Sequence, residues 1–308
     1  MANRSRASVW WSLVISFTAV ALNGGPARAA IIISGYTDAA NDRFTDSGSF
    51  LLSGFDLSGI GQDASGRWAT AIGRNVVISA AHLAPTGSVT FYPANDPGDV
   101  PVTIGIAGGQ KITGTDLWIG TLESNLPEAI TDYAFATEML SGPSEALVSA
   151  GTYQGVTAFT FGRSQAVHPA TRDQAVGQNR ITGYVENVDF LGNSDNDSLL
   201  MQRDDPGDTN FVTYESFFQG GDSGGPTFVD DSGQLVLIGT NAFRYDADDP
   251  FAEDPITGSG INYIANQSAF INQYIEAAAV PEPSSLALLT GVTALMVRCR
   301  KRKSSSRR

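Results

Sequence analysis

Residues 68–82 read Trp-Ala-Thr-Ala-Ile-Gly-Arg-Asn-Val-Val-Ile-Ser-Ala-Ala-His. Two short apolar runs, Trp68–Ile72 and Asn75–Ser79, flank Gly73-Arg74, and the second ends against Ala80-Ala81-His82. Short runs rich in Val, Ile, Thr and aromatics between turn residues predict strands of a sandwich or barrel. The same pattern recurs outward along the chain, at Ser88–Tyr92, Leu117–Leu122, Leu147–Ala150, Val156–Phe161, Phe211–Tyr214, Thr227–Val229 and Leu235–Thr240. Only Asn266–Ala279 has helical spacing: Phe270, Ile271, Tyr274 and Ile275 fall on one stripe, with Asn266 or Ser268 as the expected cap. The prediction is an all-β body closed by one C-terminal helix.

Composition agrees. The 33 glycines among 308 residues indicate a turn-rich chain, and 42% hydrophobic residues argue against disorder. The formal charge of −13 is unevenly spread. Residues 31–279 hold nine of the 19 basic and 31 of the 32 acidic side chains, which leaves the body at −22. A surface that negative repels phosphate backbones and excludes nucleic acid as a partner class. The single cysteine, Cys299, lies in the tail, so the body has neither an internal disulfide nor a cysteine metal site.

Both ends read as addresses. Residues 1–29 have the order of a secretory signal peptide: Arg4 and Arg6, an apolar run from Val9 to Leu22, then Ala27-Arg28-Ala29. Residues 280–308 carry Pro281-Glu282-Pro283, an apolar stretch from Leu286 to Val297, and a basic cluster from Arg298. That stretch is shorter than the roughly 20 residues of a spanning helix, which suits a processing signal with transient membrane contact. The three-part tail resembles the PEP-CTERM sorting signal of Gram-negative bacteria. The resemblance implies recognition of Pro281-Glu282-Pro283 by an exosortase, and delivery of the body, secreted, to the envelope or extracellular matrix.

The chemistry centres on Gly221-Asp222-Ser223-Gly224-Gly225-Pro226. Glycines on both sides of a serine permit a tight turn that exposes the hydroxyl and gathers backbone N–H donors for an oxyanion. Serine needs a base, and the chain has two histidines. His168 sits in the polar stretch Ser164–Arg172 and reads as a surface loop residue. His82 ends a buried strand beside two alanines, which leaves room for a serine from elsewhere in the fold. An acid should fix the imidazole. Asp116, opening the apolar strand to Leu122, is favoured for that place; Asp132, in Thr131–Ala136, is its rival.

With these motifs in the order His, Asp, Ser, the body (residues 30–279) resembles the trypsin/chymotrypsin-like serine protease family over most of residues 60–278. The resemblance implies two six-stranded antiparallel β-barrels, about residues 31–138 and 145–264, with the helix at 266–279 and a cleft between the barrels. It implies that Ser223 is the nucleophile, His82 the general acid/base and Asp116 its orienting partner. The N–H groups of Gly221 and Ser223 form the implied oxyanion hole, and hydrolysis of a protein or peptide substrate passes through an acyl-enzyme without a cofactor. Phe217 stands where the family sets primary specificity, and Thr240 and Asn241 end the strand that lines the cleft. Without an acid at 217 an Arg or Lys preference loses its basis, and a large aromatic there is expected to fill the pocket and favour small side chains.

The resemblance further implies that a newly cut N-terminal Ile pairs with Asp222. Ile31-Ile32-Ile33-Ser34-Gly35 looks like that terminus if the cut follows Ala30, although Ala27-Arg28-Ala29 favours a cut one residue earlier. Three acidic clusters, Asp195-Asn196-Asp197, Asp204–Asp208 and Asp246–Asp254, offer oxygen ligands for calcium but follow no known calcium loop. Their plainer reading is a solvated surface. A silent binding module on the same fold, or an esterase on the same triad, are the competing functions. Retention of His82, Asp116 and Ser223 together favours a serine endopeptidase.

Overall fold

The computed structural model describes residues 30–245 and 258–279. The N-terminal segment read as a signal peptide, the Asp246–Asp254 cluster, and the tail with Pro281, Glu282, Pro283 and Cys299 lie outside the described residues. Among the described residues no helix is long and apolar enough to cross a membrane.

The first strands are β1 (Ile32–Ile33), β2 (Ile60–Gln62), β3 (Trp68–Gly73), β4 (Val76–Ala80), β5 (Ser88–Phe91), β6 (Val102–Lys111) and β7 (Leu117–Leu122). Strands β2 to β7 form a closed barrel in the order β2-β3-β4-β7-β6-β5, sealed by the Gln62–Thr90 pairing. The hairpin read from residues 68–82 is its wall, with Thr70 opposite Ile78 and Ala71 opposite Val77. Both faces of β3 and β4 are buried. Ala69, Ala71 and Val77 join Val89, Phe91 and Leu122 inside the barrel. The alternate residues Trp68, Ile72, Val76 and Ile78 join a second core with Phe161, Val176, Phe228 and Leu237. That two-sided burial explains why the runs are apolar throughout rather than alternating.

The remaining strands are β8 (Leu147–Val148), β9 (Thr157–Gly162), β10 (Ala175–Phe190), β11 (Asn193–Gln202), β12 (Ser216–Phe217), β13 (Pro226–Asp231), β14 (Gln234–Tyr245) and β15 (Gly258–Tyr263). They build a sheet in the order β11-β15-β14-β13-β9-β10-β8, in which β10 and β11 also pair and turn it into a ring. β1 pairs with β12 outside it. Among the described residues the last element is α2 (Ser268–Ala278), and a four-residue α1 (Asp38–Asn41) follows β1. Ile271 of α2 is fully buried, and Phe270, Tyr274 and Ile275 pack on the shared core. The fold is thus mostly β, with one closed six-stranded barrel, a second ring-like sheet and a C-terminal helix.

Several elements depart from the sequence expectation. Phe211–Tyr214 is a turn, and the short strand falls at β12 instead. Neither Asn266 nor Ser268 caps α2: Gln267 holds the cap position without a side-chain bond. The Asn266 amide instead donates to Leu140 O at 2.9 Å and Asp197 Oδ2 at 2.6 Å. Strands β2, β6, β10, β11 and β15 have no counterpart among the predicted runs.

Arg43 staples the two sheets. It is buried, and its guanidinium donates to Ile60 O at 3.2 Å and Tyr92 O at 2.9 Å on the barrel side, and to Gln174 Oε1 at 2.8 Å before β10. Burial pulls its pKa down to about 10, so it stays charged at neutral pH. A buried acceptor left without a donor costs about 1–3 kcal/mol. Arg43→Met is therefore expected to lower the unfolding free energy by about 2–5 kcal/mol in urea titration, and a loss below about 1 kcal/mol would mean that these bonds do not hold the sheets together.

Candidate active site

The site starts from a register. β4 and β7 pair Ser79 with Trp118 and Ala80 with Leu117. The next rung is Ala81 N–H donating to Asp116 O at 2.7 Å. That rung delivers Asp116, just ahead of β7, to His82, which sits in the 3-10 turn Ala81–Leu83. Asp116 Oδ1 accepts the His82 backbone N–H at 2.9 Å, and Oδ2 lies 2.7 Å from Nδ1. The acid is 1% exposed and the imidazole 23%. A carboxylate on Nδ1 makes that nitrogen the donor and leaves Nε2 as the acceptor.

Two residues not foreseen from sequence hold Asp116. The Asn262 amide from β15 donates to Asp116 O and Oδ2, both at 3.3 Å, and to Thr240 Oγ1 at 3.4 Å. Asn196 Oδ1 accepts the Asp116 N–H at 2.5 Å. Asn196 belongs to the Asp195–Asp197 cluster, read from sequence as calcium ligands or surface; its side chain is buried against the acid. Asp132 is 36% exposed and pairs with Arg74 at 3.5 Å. Of the two rival acids, Asp116 is the one the structure brings to His82.

The serine loop is held by backbone. Asp222 is fully buried; its Oδ1 accepts the Arg163 N–H at 2.8 Å and its Oδ2 the Gln219 N–H at 2.7 Å. The Asn241 amide donates to Phe161 O at 2.6 Å and Asp222 O at 3.2 Å, and its Oδ1 accepts Thr227 Oγ1 at 2.8 Å. Among the described residues, the N–H groups of Gly221 and Ser223 donate to no protein acceptor. Gly224, at φ +83°, lies so close to β4 that an added Cβ would fall 2.4 Å from Ser79 Oγ. Only glycine lets the loop dock there, three residues before His82.

A cavity of about 210 Å³ opens beside Ser223, lined also by Phe190, Phe218, Asn241, Ala242 and Phe243. The His82 and Phe190 rings meet edge to face at 5.4 Å, so the imidazole packs against a residue that lines the cavity. Of the three residues expected to bind substrate, Asn241 lines this cavity. Thr240 is buried beneath it, bonded to Asn262. Phe217 pairs with Ile32 of β1 under the Arg203 guanidinium, and Phe218 takes the place at the cavity.

His168 is no free surface residue: its Nε2 lies 2.5 Å from Oδ2 of the buried Asp42, which also accepts Ser164 Oγ at 2.7 Å. The solvated reading of the acidic clusters holds for Asp195, Asp205 and Asp208, which are exposed, but not for Asp204, which is buried beside Glu215. Among the described residues, no group of three or more His, Cys, Asp or Glu is gathered as metal ligands. No protein-family model matches the chain, and no curated protein matches it.

Ile31 is buried at the same loop, its N–H donating to Arg163 O at 3.0 Å. Burial pushes the Asp222 carboxyl up to about 7, against the lowering effect of its bonds from Arg163 and Gln219. Glu215 is likewise pushed up by burial to about 7. A carboxyl whose pKa is raised on folding stabilises fully below its unfolded value of about 4 and loses that contribution as pH rises through the folded value. Stability is therefore expected to fall between pH 4 and 7. Asp222→Asn should flatten that slope in urea midpoints measured across the range; an unchanged slope would clear Asp222 of the effect.

Proposed function

We propose that this chain is an exported serine endopeptidase of the trypsin/chymotrypsin type, its barrel and ring-like sheet being the two barrels of that family. The observation that carries the reading is the double engagement of His82 by a buried Asp116, next to a cavity whose wall includes Ser223. In the proposed cycle His82 Nε2 takes the Ser223 hydroxyl proton as Oγ attacks the scissile carbonyl carbon. The oxyanion is met by the N–H groups of Gly221 and Ser223, which donate to no acceptor among the described residues, and this supports that role. The imidazolium, steadied by Asp116, then gives the proton to the leaving amine as the C–N bond breaks. Water, deprotonated by His82, then adds to the acyl carbon, and the imidazolium returns the proton to Ser223 Oγ as the ester C–O bond breaks and the acid product leaves.

The sequence at the two ends supports export and exosortase processing at Pro281-Glu282-Pro283, with delivery to the envelope or matrix of a Gram-negative bacterium. The full chain is expected to be labelled by a fluorophosphonate at neutral pH and to digest an unfolded protein substrate, while Ser223→Ala does neither. Asp116→Asn should keep the fold and lose about 10⁴-fold in kcat, since the wrong tautomer is then favoured. Equal labelling of wild type and S223A would sink the assignment, and turnover of esters alone would make the chain an esterase.

A further inference from the structure

Resting on the serine-peptidase reading, we infer that the cavity beside Ser223 takes a large apolar side chain of the peptide substrate, and that Phe190 is the residue that sets this preference.

Three phenyl rings, Phe190, Phe218 and Phe243, form the walls, with Ala242 between them. Phe190 and Phe243 pack at 5.4 Å with their planes tilted by 38°, and all three side chains are buried in the fold. The pocket is therefore preformed rather than assembled on binding. Its volume of about 210 Å³ suits one large side chain. Among the described residues, Arg244 is the only charged one in the lining; it is exposed and donates to Gln219 Oε1 at 3.2 Å. A Lys, Arg, Asp or Glu side chain entering the aromatic interior would shed its water without gaining a buried partner, which disfavours it strongly.

The backbone beside the cavity suits an extended peptide. β14 pairs with β13 only as far as Thr240, whereas its pairing with β15 continues to Tyr245. Among the described residues, Ala242–Arg244 thus have a strand on one side only, and these same residues line the cavity. A substrate strand added at that edge directs alternate side chains to one face.

Phe190 has a particular place in this arrangement. It ends β10 at the two-residue Leu191-Gly192 turn, where its carbonyl accepts the Asn193 amide at 2.8 Å. One ring contact goes to Phe243 and another, edge to face, to His82. A side chain seated against Phe190 therefore lies next to the general base, which ties occupancy of the cavity to the approach of the scissile bond.

The test uses the full chain and fluorogenic peptides that differ only in one of the two residues before the scissile bond: Phe, Leu, Ala, Lys or Glu. Phe and Leu are expected to exceed Ala in kcat/KM by about 10–100-fold at one of these positions, the range of a well-filled apolar pocket. Phe190→Ala should cut that ratio about ten-fold or more, mainly through the Phe peptide, with each rate normalised to the fluorophosphonate-labelled fraction of the same protein. Phe190→Leu, which keeps apolar volume without the ring, should narrow the ratio less, and decides in place of F190A if circular dichroism shows the latter unfolded. Labelling of wild type together with a flat profile, or with a preference for Lys or Glu, overturns the inference and leaves the serine-peptidase reading standing. Loss of labelling in a folded F190A overturns it too, because Phe190 then serves His82 rather than the substrate. Absence of labelling in the wild type overturns the serine-peptidase reading and the inference with it.

Discussion

The pairing of β4 with β7 is the constraint on which the site depends. In that register Ala81 meets Asp116, and the carboxyl reaches His82 with both oxygens. A slip of one residue would turn every side chain of β7 to the opposite face, and the barrel interior would lose Leu122 while the shared core lost Leu117 and Ile119. Hydrophobic burial thus enforces an alignment that the polar residues could not enforce by themselves. The His82 N–H and the Asn262 amide, both donating to the carboxylate, then offset its desolvation at the strand end, while Asn196 Oδ1 accepts the Asp116 backbone N–H.

The serine loop has a different support. Its geometry comes from the second sheet, through the bonds of Asn241 and the two backbone donors to Asp222. Its position relative to His82 comes from close contact with β4 at Gly224. Acid and base are therefore delivered by one sheet and the nucleophile loop by the other, with the apolar layer around Trp68, Phe161 and Phe228 between them. Trp68 also reaches across that layer, its indole N–H donating to Gly221 O at 3.3 Å.

Legibility in the sequence followed burial. β3, β4 and β7 were readable because their side chains are apolar and buried, and His82, Asp116 and Ser223 stood at the ends of readable runs or in a glycine-framed turn. β6 was hidden because Gly109 lies against the Trp118 ring, where an added Cβ would fall 2.1 Å from it, so the strand shows glycine where a branched residue is expected. β11 was hidden because its polar residues Asn196 and Asp197 bond inward to Asp116 and Asn266, giving a buried strand the composition of a loop. Asn262 was lost with β15, whose Gly258 and Gly260 make room for Tyr245 and Phe243. Phe190 carried no periodic signal, because its neighbour Leu191 takes a left-handed turn position (φ +53°) more usual for Asn or Gly.

The C-terminal helix has a mechanical consequence. Asn75, in the β3–β4 turn, donates to Ala278 O at 2.7 Å, and Thr121 Oγ1 donates to the Tyr274 hydroxyl at 3.1 Å. Any pull on the chain beyond Ala279 enters the fold through the last turn of α2 and is borne first by that hairpin turn and by β7. Those are the strands that carry His82 and Asp116 at their far ends. A tether at this terminus is thereby in series with the alignment of the acid and the base, and reaches the serine loop only through its contacts with β3 and β4 at Gly221 and Gly224.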